Sequence, residues 1–169
     1  FFHQVYLSEL RGWEPSVFAA SFAIMSSMTI LFALIAGQLV DRFSAIRLLP
    51  SFLVPLSLSC FVLASTDAPW GAYAFMALMG ISYGFSSTLF GALWPELYGS
   101  RHLGGIRSLI VAFMVFATAM GPGLTGALID AGISYPGQIA AMGVYSVAVI
   151  AIMTLVSRRA LARQQPGRA

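Results

Sequence analysis

Residues 16–40 read SVFAASFAIMSSMTILFALIAGQLV, and the chain then becomes charged at Asp41 and Arg42. The run contains no charged residue, and it is longer than the roughly 20 apolar residues that a helix needs to cross the hydrocarbon of a bilayer. It therefore predicts a transmembrane helix, and similar charge-free runs elsewhere in the chain would predict further ones.

Four further charge-free runs follow, at Leu48–Thr66, Ala68–Pro95, Ser108–Ile129 and Ala131–Ser157. Their apolar residues do not alternate, and each run is about twice the roughly 9–11 residues of a membrane barrel strand. The shorter segment Phe1–Leu7 predicts the end of another helix. We expect an all-α membrane protein with five complete transmembrane helices, at about residues 16–40, 48–66, 70–94, 108–129 and 136–157, a partial one at 1–7 and a basic tail at 158–169.

The composition supports a membrane protein over a soluble domain. Of the 169 residues, 59% are hydrophobic and 9% are charged, whereas a soluble domain carries about 25% charged residues. The chain opens on Phe-Phe-His-Gln, which predicts that an upstream part is missing. Cys60 is the single cysteine, so neither a disulfide within the chain nor a cysteine metal cluster is expected. We expect no cofactor, no metal site and no nucleic-acid partner.

The charges predict the orientation of the chain. When the spans alternate across the membrane, one side receives only Arg11, while the other receives Arg42, Arg47, Arg101, Arg107, Arg158, Arg159, Arg163 and Arg168. The links are short, and in short links Arg residues stay on the cytoplasmic side. We therefore expect a multi-pass protein of the inner or plasma membrane with a cytoplasmic C-terminus.

Small residues predict where helices approach each other closely. Gly80-Ile81-Ser82-Tyr83-Gly84 has the GxxxG spacing of packed transmembrane helices, and Ser87 and Gly91 are expected to continue the small face. In a later span, Pro122 is expected to kink its helix. Gly80-x-Ser82-x-Gly84 also matches the hydrolase nucleophile elbow, but that motif needs a strand-to-helix turn and this stretch lies within a helix. An enzyme is therefore not expected.

The link after the first full span carries a family signature. Its residues Gly37, Leu39, Asp41, Arg42 and Arg47 match the pattern G-x-L-x-D-R-x-G-x-R-R, with Ser44 in place of a glycine and Ile46 in place of a basic residue. The chain thereby resembles the major facilitator superfamily, in which the weaker copy of this motif joins helices 8 and 9. The loop from Pro95 to Gly105 and the segment from Gly121 to Asp130 resemble the 10–11 loop and helix 11, so the resemblance covers nearly the whole chain.

This resemblance implies the C-terminal half of a twelve-helix carrier for a small solute, which works by alternating access with an N-terminal half. It also implies that Asp41, Arg42 and Arg47 form a cytoplasmic latch that gates the carrier. Helices 7, 8, 10 and 11 line the cavity in the superfamily. The polar residues expected to contact solute are therefore Tyr83, Ser87, Ser27, Thr118, His3 and Gln4. For each hydroxyl the alternative is a hydrogen bond back to the helix backbone.

Within the superfamily, the start of the chain and the 8–9 link look most similar to the monocarboxylate and oxalate–formate carriers. Those carriers hold a carboxylate with a basic residue in helix 8 or 11, and no charged residue lies inside any complete predicted span here. Two other functions remain open. One is a transporter-like membrane sensor, and the other is a membrane assembly subunit without transport activity.

The topology can be tested by cysteine labelling in a variant that lacks Cys60. We expect Arg42→Cys and Arg158→Cys to react with a membrane-impermeant maleimide only after the cells are permeabilised, because both residues are predicted to lie on the cytoplasmic side. Thr66→Cys should react in intact cells. If Arg42→Cys and Arg158→Cys were labelled from opposite sides, the predicted threading would be wrong.

Overall fold

The structure, a computed structural model, describes residues 3–164, and within that range every regular element is a helix. Residues 1–2 of the predicted partial helix and 165–169 of the predicted tail lie outside the described residues. The helices are α1 (Gln4–Arg11), α2 (Pro15–Phe43), α3 (Ala45–Leu48), α4 (Leu53–Ser65), α5 (Trp70–Tyr98), α6 (Leu103–Asp130) and α7 (Tyr135–Gln164).

Among residues 3–164, five stretches are long and apolar enough to cross a membrane, which confirms the predicted fold class. They are Ser16–Phe43, Ala45–Ser65, Trp70–Tyr98, Leu103–Asp130 and Tyr135–Arg163. The second stretch consists of α3 and α4, which are separated by a turn at residues 49–52. Pro50 lies in this turn, where its missing N–H removes a helical hydrogen bond.

Helices α2, α5, α6 and α7 all extend further than the predicted spans, and the extensions of α6 and α7 are the longest. Helix α6 begins at Leu103, so Arg107 lies inside it, and it continues across Pro122 without interruption to Asp130. Helix α7 continues through Arg158 to Gln164, so the first part of the predicted tail is helical. The physical reason is that helical hydrogen bonding does not stop where apolar residues stop, and Arg side chains at a helix end can reach toward water.

The closest packing joins α5 to α2 at the predicted glycines. A Cβ atom built on Gly80 would lie 3.0 Å from the Met28 Cβ atom and in contact with the Met25 carbonyl oxygen. On Gly84 it would lie 2.9 Å from the Ala33 backbone nitrogen and against the Thr29 carbonyl oxygen. The two backbones are therefore in direct contact at these glycines, as GxxxG packing requires.

The continuation of this face differs from the expectation. One turn beyond Gly84, the Thr88 hydroxyl donates a 3.1 Å hydrogen bond to the Ala33 carbonyl of α2. Ser87 and Gly91 instead lie on the side of α5 that faces α6. At 3.6 residues per turn, Ser87 lies about 60° to one side of Gly84 and Thr88 about 40° to the other. Gly91 is nearly in line with Gly84, but nothing lies within 4 Å of a Cβ atom built on it, so it makes no close contact with α2. The Ser82 hydroxyl is buried and donates a 2.6 Å hydrogen bond to the Phe52 carbonyl, which gives it a structural role.

The links that contain Arg11 and Asp67 meet at one end of the bundle, called here the Arg-poor end. The Arg11 Nη2 atom donates a 2.7 Å hydrogen bond to the Leu63 carbonyl, and its Nε atom lies 3.1 Å from a carboxylate oxygen of Asp67. The Trp13 indole donates a 2.6 Å hydrogen bond to the Asp67 carbonyl. The Arg11 side chain is only 4% exposed. Burial lowers the pKa of its guanidinium, and the Asp67 carboxylate opposes that shift.

The opposite end, called here the Arg-rich end, carries the end of α7 and two links. One is the 8–9 link at residues 41–47, and the other is the 10–11 link at residues 95–107. Here α3 packs into a cluster of buried apolar residues with α2 and α5, formed by Ala36, Ala45, Ile46, Leu49, Phe85, Leu89 and Leu93. The buried Ser157 hydroxyl of α7 donates a 2.6 Å hydrogen bond to the Ile46 carbonyl. The alternating threading predicts that these links lie on one side of the membrane. The contacts hold them together at one end of the bundle.

Helix α6 differs from the others because the rest of the chain leaves it mostly uncovered. Thr125 is its single buried residue. By contrast, α4 and α7 are in close contact, since the Ser57 hydroxyl donates to the Gly143 carbonyl at 3.1 Å and Gly143 packs on the Phe61 ring. Helices α2, α4, α5 and α7 therefore form the packed part of the structure, and α6 lies along its side.

Substituting Gly84 tests the contact between α2 and α5. Gly84→Ala should lower the thermal unfolding temperature, because its methyl group would meet the α2 backbone, and such overpacking costs about 1–3 kcal/mol. The matched control is Gly123→Ala in α6, where nothing lies within 4 Å of the added Cβ. Unfolding of the detergent-purified protein can be followed by tryptophan fluorescence. Equal stability of the two variants would contradict the packing.

Candidate functional site

A cleft of about 520 Å³ opens between α5 and α6. It is lined by Tyr83, Ser86, Ser87, Phe90, Gly91 and Trp94 of α5 and by Arg107, Ile110, Val111 and Met114 of α6. Contact with α2 through Gly80 and Gly84 fixes the rotation of α5, and this rotation directs the Tyr83 side of the helix toward α6. The size is within the range of small-molecule sites, which run from about 300 to 1,000 Å³.

The hydroxyl groups of the α5 wall bond to their own helix. The Ser86 hydroxyl donates to the Tyr83 carbonyl at 3.0 Å, and the Ser87 hydroxyl donates to the Gly84 carbonyl at 2.9 Å. Each hydroxyl proton is therefore already donated to a backbone carbonyl, while the lone pairs of the hydroxyl oxygen can still accept hydrogen bonds. The remaining wall is aromatic, since the Phe90 and Trp94 rings stack with centroids 6.1 Å apart, and Tyr83 is 53% exposed.

Arg107 supplies the charge of this cleft. Because α6 begins at Leu103, Arg107 lies in the second turn of the helix, and its side chain lines the cleft at the Arg-rich end. The sequence interpretation had placed Arg107 in a loop outside the span. The cleft thus combines an apolar and aromatic wall, hydroxyl acceptors and one guanidinium. Such a site fits a small solute that has both an apolar part and an acidic or hydrogen-bonding group.

Two of the other predicted solute contacts lie outside the cleft lining. The Ser27 hydroxyl of α2 donates to the Ala23 carbonyl at 2.8 Å. The Thr118 hydroxyl of α6 donates to the Met114 carbonyl at 2.7 Å, one turn beyond the lining. Both hydroxyls make the hydrogen bond to the helix backbone that was the alternative for each of them.

His3 and Gln4 lie at the Arg-poor end. The His3 ring lies 5.7 Å from the Tyr135 ring, between the start of α7 and Gly126 of α6. Gln4 lines a groove of about 440 Å³ with Trp13 and Phe22, and its side-chain nitrogen is buried without a hydrogen-bond partner. Among the six predicted solute contacts, the structure therefore brings together only Tyr83 and Ser87.

The signature link has a special backbone conformation at Ser44. Its φ of 78° and ψ of 141° lie in a region that favours glycine, and the family signature has a glycine at this position. The Ser44 hydroxyl donates a hydrogen bond to one carboxylate oxygen of Glu96, and the Ala45 N–H donates to the other at 2.8 Å. Glu96, near the end of α5, thus holds the start of α3 and the strained residue before it.

The three predicted latch residues take no part in this contact. Asp41 and Arg47 are exposed and make no ion pair with any residue from 3 to 164. The Arg42 guanidinium lies over the neighbouring Phe43 ring at 5.4 Å. Sequence reasoning missed Glu96, although a signal existed. The alternating threading assigns two acids to the Arg-rich end, Asp41 and Glu96, and Glu96 directly follows the last apolar residue of its span.

No group of three or more His, Cys, Asp or Glu residues within the described part of the chain lies close enough to hold a metal ion. The functional features are therefore the cleft between α5 and α6 and the contact between Glu96 and the 8–9 link. Together with the apolar helices, they define a multi-pass α-helical membrane protein that has a solute-sized cleft between two spanning helices.

A comparison with protein families extends this description. The family model of the Major Facilitator Superfamily matches residues 1–169. The chain belongs to this superfamily, whose members are membrane transporters that bind small-molecule solutes, and the predicted family is confirmed. The match does not support assignment to the monocarboxylate or oxalate–formate carriers. Searches of curated proteins and of solved structures gave no match.

The role of Glu96 can be measured by hydrogen exchange. Glu96→Ala removes the acceptor of the buried Ala45 N–H. Losing a hydrogen bond that leaves a buried donor unsatisfied costs about 1–3 kcal/mol, so exchange of the Ala45 amide should accelerate by about tenfold or more. Asp41→Ala is the matched control, because it removes an acid of the same end that has no ion-pair partner among residues 3–164. Unchanged exchange in Glu96→Ala, or an equal change in Asp41→Ala, would contradict the assignment.

Proposed function

We propose that this chain takes part in secondary active transport of a small solute and works by alternating access as one half of a carrier. The observation that carries the proposal is the solute-sized cleft between α5 and α6 in a chain that matches a transporter family over residues 1–169. In such carriers two helical halves move against each other around a site near the middle of the membrane. A cleft at the side of one half suits that arrangement.

The orientation follows from the arginines. The Arg-rich end is cytoplasmic in this proposal, because short cytoplasmic links retain Arg residues. The chain then lies in the inner or plasma membrane with its C-terminus in the cytoplasm. The contacts of Glu96 with Ser44 and of Ser157 with Ile46 support it, since they hold these links at one end of the bundle.

The partner of this chain is the N-terminal half of the same carrier. Helix α6 supports this proposal, because its apolar side chains are exposed around most of the helix and lipid would cover only the outer part. The exposed side chains of Asp41, Arg42 and Arg47 remain available to the other half as a latch. Glu96 then has a positioning role, since it holds the backbone of the link that carries these three residues.

The solute contacts are Tyr83 and Ser87, with Arg107 as the charge at the cytoplasmic mouth of the cleft. Ser27, Thr118, His3 and Gln4 stay predictions for contacts that another conformation would make. Carboxylate carriers of the superfamily hold the carboxylate with a basic residue in helix 8 or 11. Helix α6 resembles helix 11, and Arg107 lies within it. Arg107 therefore favours a solute with an acidic group, as in the monocarboxylate interpretation.

Neither of the alternative functions is supported by a comparable feature. A membrane sensor is less favoured than a carrier, because the family that the chain matches consists of transporters. An assembly subunit without transport activity would not need a cleft with a guanidinium at its mouth. Transport is therefore the function that the geometry favours.

Transport by the full-length carrier in proteoliposomes tests the site, after an uptake screen of labelled small carboxylates and neutral solutes has identified a substrate. Tyr83→Ala should raise KM by about tenfold, because it removes a stacking surface and a hydrogen bond that together contribute about 1.4 kcal/mol. Tyr145→Ala is the matched control, since Tyr145 is exposed on α7 away from the cleft. Equal kinetics of both variants would contradict the cleft as the site, and absence of uptake for every solute would contradict transport.

A further inference from the structure

A second groove, separate from the cleft, lies at the Arg-rich end between the ends of α5 and α7. Its volume is about 410 Å³, and its lining consists of Leu97, Val156, Arg159, Ala160 and Arg163. Neither the solute cleft nor the latch uses any of these residues. The groove combines two cationic side chains with an apolar floor, and this combination suggests a ligand that is itself amphipathic.

The two arginines leave an uncompensated charge in the groove. Arg159 and Arg163 are four residues apart on α7, so both guanidiniums lie on one face, where like charges destabilise a helix. Both side chains are exposed, and neither forms an ion pair with an acid from residue 3 to residue 164. Glu96 precedes Leu97, but its carboxylate accepts hydrogen bonds from Ser44 and Ala45. An anion would therefore relieve the repulsion without displacing an existing partner.

The apolar lining of the groove extends to the membrane side of these charges at Val156. Leu97 is 38% exposed and Val156 is 49% exposed, while Ala160 packs against the buried cluster below. Along α7, Val156 precedes Arg163 by about 10 Å of helix rise, so it lies nearer the middle of the membrane. A ligand that fills the groove would place its charge at the Arg pair and its apolar part over Leu97 and Val156.

Aromatic side chains favour a position of this groove at the membrane surface. The rings of Trp94 and Tyr98 stack with centroids 6.5 Å apart on the last turns of α5, and Tyr98 is 60% exposed. Trp and Tyr residues concentrate at the level of the lipid headgroups. Leu97 is next to Tyr98, so the groove opens at the depth where a headgroup meets its acyl chains.

We propose that Arg159 and Arg163 bind the headgroup phosphate of an anionic phospholipid from the cytoplasmic leaflet, with one of its acyl chains over Leu97 and Val156. Basic pockets between helices at the cytoplasmic side recognise such headgroups, and guanidinium groups bind phosphate oxygens in pairs. A soluble phosphate would use the charges but would leave the apolar floor exposed, which favours the lipid. The leaflet assignment rests on the proposed orientation, whereas the binding itself does not.

Lipid titration of the full-length natural protein in zwitterionic detergent tests the site, with native mass spectrometry and thermal stability as readouts. Phosphatidylglycerol and cardiolipin should bind and raise the unfolding temperature, whereas phosphatidylcholine and inorganic phosphate should not. The double variant Arg159→Gln/Arg163→Gln should bind about 25-fold more weakly, because each basic side chain near an anionic headgroup contributes about fivefold. Arg158→Gln is the matched control of equal charge type on the same helix, outside the groove.

Each other outcome identifies a different failure. An equal loss in Arg158→Gln would indicate diffuse surface charge, and an equal effect of inorganic phosphate would indicate a soluble anion; both overturn the lipid site, as does unchanged binding by the double variant. If the double variant fails to fold, Arg159→Lys/Arg163→Lys keeps the charge and should retain binding within about fivefold. Uptake activity and cysteine labelling are measured separately, so failure of the lipid site is distinguishable from failure of the transport function or of the orientation.

Discussion

The direct backbone contact between α2 and α5 is the constraint on which the rest of the structure depends. In a bilayer, apolar side chains gain little by leaving lipid for protein, so close approach at small residues replaces the hydrophobic effect as the cause of association. Gly80 and Gly84 permit that approach because a Cβ atom at either position would overlap the α2 backbone. Once α5 is fixed against α2, its rotation is fixed too. One side then faces the buried cluster around α3, and another faces α6 and becomes the wall of the cleft.

The two ends of the bundle are held by different chemistry. At the Arg-poor end, Arg11 is buried between the Leu63 carbonyl and Asp67, which ties the end of α1 to the end of α4 and to the turn before α5. At the Arg-rich end, a carboxylate holds the backbone of a short link, and no described arginine pairs with it. The guanidiniums of that end consequently stay available for partners outside the described chain. A rigid bundle with free charges at one end is suited to contacts that form and break while the bundle itself keeps its shape.

The sequence predicts the number of spans and the family, but it does not show which of the six candidate side chains lie together. Charge-free runs and Arg asymmetry predict threading because burial of a charge in hydrocarbon is costly at every position along a span. The same reasoning predicts helices that are too short, because an interface tolerates Arg inside a helix, as Arg107 near the start of α6 and Arg158 near the end of α7 show. Rotation around the helix axis is harder still. Ser87 is one residue from Thr88, yet Ser87 faces the cleft and Thr88 bonds to α2, and no periodic pattern in a uniformly apolar helix separates the two.

The arginines at the Arg-rich end illustrate why counting charges and locating them answer different questions. Threading depends on their number alone, and each counts equally. The structure divides them by surroundings: Arg42 lies over an aromatic ring, Arg107 lines a cleft of aromatic and hydroxyl groups, and Arg159 faces an apolar groove. A guanidinium beside a solute-sized cleft and one beside an acyl-chain-sized groove select different anions, although both satisfy the same topological rule. Hence the charge asymmetry that predicts the orientation of this chain also supplies the two proposed binding features, and substitutions at Arg107 and Arg159 are expected to affect different ligands.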